Sequence, residues 1–123
     1  MTIGCEKISF SYGEKLVLDD ISIQFEKGYL YGVLGPNGSG KTTLLKVLNG
    51  VLKSIYGKVM VDNKNIENLT IREIAKKIAL VPQSTSINFD FSVKNIVMMG
   101  RYAHVGRFSR ESNEDRKIVN EIL

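Results

Sequence analysis

Residues 35–42 read Gly35-Pro36-Asn37-Gly38-Ser39-Gly40-Lys41-Thr42 and match the pattern Gly-x-x-x-x-Gly-Lys-[Ser/Thr] at every fixed position. That combination suits a polyphosphate. Glycines at 35, 38 and 40 let the backbone come close to phosphate oxygens, where a side chain would hold it away. Lys41 can set a point charge on the β- and γ-phosphates, and the Thr42 hydroxyl can reach a Mg²⁺ ion. Pro36, Asn37 and Ser39 fill the loop, and Thr43 follows it. A plain glycine-rich turn would explain the glycines but would need neither Lys41 nor Thr42.

Such a loop works only between a strand and a helix, which aim backbone N–H groups and a helix dipole at one point. Upstream, Tyr29-Leu30-Tyr31-Gly32-Val33-Leu34 is an apolar run that predicts a buried strand. Downstream, Thr42-Thr43-Leu44-Leu45-Lys46-Val47-Leu48 has helical apolar spacing and stops at Asn49-Gly50.

The rest of the chain divides in the same way. Residues 6–12 and 18–25 alternate apolar with polar, as half-exposed antiparallel strands do, and Glu26-Lys27-Gly28 turns into the next segment. Residues 57–61 and 64–66 predict a hairpin around Asp62-Asn63, residues that tolerate a left-handed backbone. Thr70 with Glu73 three residues on predicts a capping box for a helix over 71–77. Ile78-Ala79-Leu80-Val81 reads as a second buried strand, closed by Pro82-Gln83. Ser92 is the expected cap of a helix over 93–99, and Ser109 or Ser112 that of a last helix. Ile118, Val119, Ile122 and Leu123 make a core-facing stripe with no cap after it, so the chain is expected to continue in a longer protein.

Composition narrows the class. With 123 residues, 43% hydrophobic and 24% charged, this is about one soluble domain. Seventeen basic and thirteen acidic residues leave +4, scattered without a Lys/Arg run, which suits anionic nucleotide and argues against nucleic acid. The lone Cys5 excludes an internal disulfide and a cysteine metal cage, and is expected to be a small buried apolar residue. The first residues lack the apolar core of a signal peptide, and no stretch approaches the roughly 18–20 apolar residues of a membrane span. A membrane connection would run through a partner.

Several landmarks in order go beyond a generic phosphate loop: Phe10-Ser11-Tyr12-Gly13, Leu18-Asp19-Asp20-Ile21-Ser22, the 35–44 segment, and Pro82-Gln83. Together they resemble the ATP-binding subunit of an ABC transporter over nearly the whole chain. The resemblance implies ATP and Mg²⁺ as cofactors, with Tyr12 stacked on adenine and Val17 beside it. It implies that Gln83 senses Mg²⁺ and the γ-phosphate and relays them to a membrane-spanning permease subunit, and that a second copy of the ATPase completes the site. The segment from Phe91 through Met99-Gly100-Arg101-Tyr102-Ala103-His104 is similar to the branch importing iron chelates, haem and cobalamin, with Ala103 where that branch typically has proline. His104 has no second His or Cys beside it and is expected at the surface rather than on a metal.

The implied architecture is α/β: a phosphate-loop core with a parallel sheet, plus an N-terminal antiparallel β-subdomain. Residues 1–28 and 57–66 would form the β-subdomain, 29–56 and 67–83 the nucleotide-binding core, and 84–123 the start of a helical subdomain. The family's Leu-Ser-Gly-Gly signature, its second acidic motif, catalytic glutamate and switch histidine do not occur in these residues. The intact protein would hydrolyse ATP with Lys41 and Gln83 in the catalytic set, peripheral to the cytoplasmic face of the cell membrane. This chain alone would be inactive. Phe89 and Tyr102, in polar stretches after Gln83, mark the expected permease contact, with Val97 and Met98 packing inward. Two other readings fit less. A different phosphate-loop enzyme, such as a small kinase or GTPase, needs a lid arginine set or a guanine-specifying Asn-Lys-x-Asp, and Asn63-Lys64-Asn65 lacks that aspartate; a naturally short, non-catalytic nucleotide-binding module is the other.

Overall fold

A computed structural model describes residues 1–83, 90–106 and 109–123. It divides into two compact units, Met1–Ala79 and Leu80–Leu123.

The first unit is built on a four-stranded antiparallel sheet in the order β2-β1-β3-β4. Its strands are β1 (Ile3–Tyr12), β2 (Lys15–Phe25), β3 (Tyr56–Val61) and β4 (Lys64–Asn65). The alternation in the sequence sets the faces: Ile8, Phe10, Leu18, Val59 and Val61 turn inward, with Cys5 among them. Against this face packs α1 (Lys41–Leu48), whose Leu44, Val47 and Leu48 join the same core. Complete burial of a side chain such as Ile8 contributes about 1.5–3 kcal/mol. Burial also pushes the Cys5 thiol above its usual pKa.

The β3–β4 connection is the predicted two-residue turn. Asp62 and Asn63 both take positive φ, at 48° and 62°, as a twist-matched hairpin requires. The Asp62 carboxylate accepts from the Thr2 N–H at 3.0 Å and pairs with the Lys77 ammonium, and both contacts hold it below the usual carboxylate range. The turn is thereby fastened to both the N-terminal strand and the segment after α2 (Ile71–Ala75).

Caps fall where the side chains put them. Thr70 Oγ1 accepts from the Glu73 N–H at 3.2 Å and Glu73 returns the bond to the Thr70 N–H at 2.7 Å, a reciprocal box opening α2. In the second unit, Ser92 caps α3 (Val93–Met99), and Ser112, not Ser109, caps α4 (Asn113–Ile122). Met98 and Val119 are buried there; Ile118 is half-buried, and Ile122 and Leu123 stay exposed.

Two sequence expectations fail. Neither 29–34 nor 78–81 forms a strand; Ile78 is half-buried against the core, but the other side chains of both runs are exposed, Leu34 at 94% and Val81 at 91%. Apolar residues on both faces suit a central strand flanked on both sides, and no described element pairs with either segment. The first segment is instead tethered through Tyr31, whose hydroxyl accepts from the Glu26 N–H at 3.0 Å and whose ring meets Phe25 edge-on. The helix at 71 also ends sooner than its pattern suggests, at Ala75.

Candidate functional site

The phosphate-loop pattern becomes a turn leading directly into α1. Gly40 stands at the N-cap with φ 89° and no side chain caps the helix. The backbone N–H groups of Lys41, Thr42 and Thr43 have no acceptor among the described residues, and the first turn carries no acidic side chain. The helix thus presents uncompensated donors and a positive dipole end at the loop.

Lys41 adds a full charge at the same place. Its ammonium donates to the Gly35 carbonyl at 2.8 Å and the Pro36 carbonyl at 2.7 Å, so the side chain folds over the loop it follows. The Ser39 N–H closes the turn onto the Pro36 carbonyl at 3.3 Å. Thr42 is exposed in the first helical turn, while Thr43 is buried against the core and anchors the helix start. A cluster of amide donors, an ammonium and a free hydroxyl converging on one surface can hold a polyanion.

The donor set also fits a hard divalent cation. The exposed Thr42 hydroxyl in the first turn of α1 is an oxygen ligand of the kind Mg²⁺ takes, with phosphate oxygens and water able to supply the rest. No group of three or more His, Cys, Asp or Glu side chains gathers among the described residues.

Tyr12 ends β1 and is half exposed, its ring meeting Phe10 edge-on at 4.9 Å between centroids. Val17, on the facing strand, lies against Gly40. Tyr12 pairs with Lys15 across the hairpin, which places the aromatic two residues from Val17 along β2. Gln83 is exposed in the second unit. Phe89, the first residue of the expected permease contact, lies outside the described residues, as does Phe108. Tyr102 is 59% exposed, and Val93, Ile96 and Met99 at three-residue steps before it are exposed too. Met98 is buried and Val97 half-buried on the other side of α3, as expected.

Sequence reading missed the bulges that shape the β1–β2 hairpin. Lys7 and Asp20 take positive φ inside strands, 49° and 48°, where no glycine signals it. Their amides are satisfied from the opposite strand: the Lys7 N–H donates to Ser22 Oγ at 2.8 Å and the Asp20 N–H to Ser9 Oγ at 3.1 Å. The two serines were the available signal, since a hydroxyl facing a bulge can take the amide that leaves the ladder.

A glycine loop closing on a helix N-terminus, backed by an antiparallel sheet, defines a phosphate-loop nucleotide-binding domain of the α/β class. The profile of the ABC transporter family matches residues 18–122, and the chain belongs to that family. It is 32% identical over 122 residues to the iron(3+)-hydroxamate import ATP-binding protein of Bacillus subtilis, covering 99% of this chain and 45% of that protein. To the cobalamin import ATP-binding protein of Halobacterium salinarum it is 35% identical, covering all of this chain and 30% of that one. Among solved structures it resembles an inward-facing metal-chelate type ABC transporter, with TM-score 0.71 and 29% identity over 95% of this chain and 42% of that chain. A nucleotide-free ATP-binding cassette from an ABC transporter matches with TM-score 0.56 and 40% identity over 62% of this chain and 30% of that chain. The chain spans less than half the length of these curated relatives. No helix among the described residues is long and apolar enough to cross a membrane.

Proposed function

We propose that this chain binds ATP with Mg²⁺ at the 35–43 loop and forms part of an ATPase that powers an ABC importer. The observation that carries this is the convergence of Lys41 with the unpaired amides of residues 41–43 at the start of α1. In this reading Lys41 leaves the Gly35 and Pro36 carbonyls for the β- and γ-phosphates, exchanging two neutral acceptors for charged ones. Gly38, Ser39 and Gly40 supply the loop backbone, and Gly35, Pro36 and Asn37 shape its entry. Thr42 and Gln83 would hold Mg²⁺, which when bound neutralises phosphate charge. Tyr12 stacks on the adenine, with Val17 beside it.

Hydrolysis belongs to a larger assembly. These residues contain no catalytic glutamate after a strand and no Leu-Ser-Gly-Gly signature, so turnover needs them from elsewhere. The relatives named above support an iron-chelate or cobalamin type of solute, and the resemblance of the segment from Phe91 to His104 adds haem to that class. A second ATPase copy and a membrane-spanning permease are the partners of this reading, at the cytoplasmic face of the cell membrane. The exposed line Val93, Ile96, Met99 and Tyr102 supports the permease contact.

Calorimetric titration of the chain with MgATP tests the core of the proposal. Binding is expected for the wild type and strong weakening for Lys41→Ala, because no second cation in the loop replaces it. Unchanged affinity in that variant would overturn the assignment.

A further inference from the structure

The base-side hairpin and the phosphate loop touch at one spot, and a strand irregularity makes it possible. The β1–β2 register pairs Phe10 with Leu18 and Ser11 with Leu16, so Val17 is the extra residue of a bulge. A bulge re-aims its side chain and bends its strand. Here it brings Val17 onto Gly40. A Cβ built on Gly40 would stand 3.1 Å from the Val17 carbonyl oxygen, 3.2 Å from Val17 Cγ1 and 3.2 Å from Leu18 Cδ2. These distances are tighter than ordinary contact, so the glycine backbone is seated directly on β2.

What Gly40 controls is the donor array. Its carbonyl accepts the first helical bond, from the Leu44 N–H at 2.8 Å, and the three amides that follow it are those without acceptors. A shift of β2 at this point therefore moves the start of α1 relative to the loop. The other end of the same bulge, Leu16, is adjacent to Lys15, the partner of Tyr12.

We propose that Val17 is a positioning residue for phosphate binding: the bulge holds Gly40 through the Val17 carbonyl and γ-methyl, and so fixes the amides of 41–43. The inference rests on the nucleotide reading above, but moves the action of Val17 from the base to the phosphates. A residue beside adenine would affect only ligands that carry a base. One that sets the loop affects any polyphosphate.

That difference gives the test. The chain is titrated calorimetrically with MgATP and with magnesium tripolyphosphate, in the wild type, Val17→Ala, Val17→Ile and Tyr12→Ala. Val17→Ala is expected to weaken both ligands by the same factor, roughly three- to tenfold. Val17→Ile keeps the β-branch and is expected to restore both. Tyr12→Ala is expected to weaken ATP alone. Circular dichroism melts accompany each variant; if Val17→Ala does not fold, Val17→Leu, which keeps apolar volume but withdraws the β-branch, carries the same expectation. Loss of ATP affinity with tripolyphosphate unchanged, or no change in either, would overturn the proposal. A wild type that binds neither ligand would overturn the nucleotide reading itself, and this inference with it.

Discussion

Arg101 Nε donates to Asp115 Oδ1 at 2.9 Å, while Asp115 Oδ2 accepts from the Ser112 hydroxyl at 2.6 Å and the Ser112 N–H at 3.0 Å. One carboxylate thus closes the N-terminal box of α4 and ties it to the turn after α3. The Ser112 contacts, with Arg101 added, hold the Asp115 carboxyl down to about 2, from an ordinary 3.8. A folded-state pKa below the unfolded one means that protonation favours unfolding. The contribution is complete above the ordinary value and fades as pH falls from about 4 toward 2. Melts followed across that window should show the wild type losing stability faster than Asp115→Asn. Parallel curves would show that the carboxylate charge is not what holds this corner.

Gly57 faces the bulge at Lys7 across β1 and β3. It takes φ 77°, and a Cβ there would meet the Glu6 carbonyl oxygen at 2.3 Å and the Lys7 carbonyl oxygen at 2.4 Å. Backbone cannot yield as a flexible side chain can. Gly57→Ala should therefore cost about 2–3 kcal/mol. Gly28→Ala meets nothing within 4 Å and suffers only its φ of 93°, so it should cost roughly 1–2 kcal/mol. Equal denaturation midpoints for the two variants would contradict the close approach.

In the proposed reading the base stacks on Tyr12. Its exposed ring is braced edge-on by Phe10, leaving a face available for stacking. Tyr12→Ala should weaken ATP binding by about 1–3 kcal/mol, the usual worth of a base on an aromatic. Tyr12→Phe keeps the ring and should be mild. Identical affinities in calorimetry would make Tyr12 a structural aromatic only.

The α3 surface is tested in the full transporter. In the proposed reading, Tyr102→Glu should leave the basal ATPase activity of the subunit largely unchanged and weaken copurification with the permease, because a charge placed within an apolar contact is left unpaired. Wild-type copurification together with normal transport would place the contact elsewhere.

The sequence determined whatever is chemically local. The 35–42 motif and its helix need only glycines that permit the turn and a lysine that follows it. The Thr70–Glu73 box and the Ser92 cap likewise follow from side chains answering backbone groups three residues away, and the Asp62-Asn63 turn from residue types that tolerate positive φ. Tertiary structure decided the rest. Lys7 and Asp20 carry no local signal for positive φ; they adopt it because Ser22 and Ser9 on the facing strand take their amides. Val17 reads as one more apolar strand residue, and only the slipped register puts it on Gly40. The runs at 29–34 and 78–81 have strand composition, yet composition cannot supply a neighbour. A strand exists only when a second backbone takes its hydrogen bonds, and that depends on residues far away in sequence.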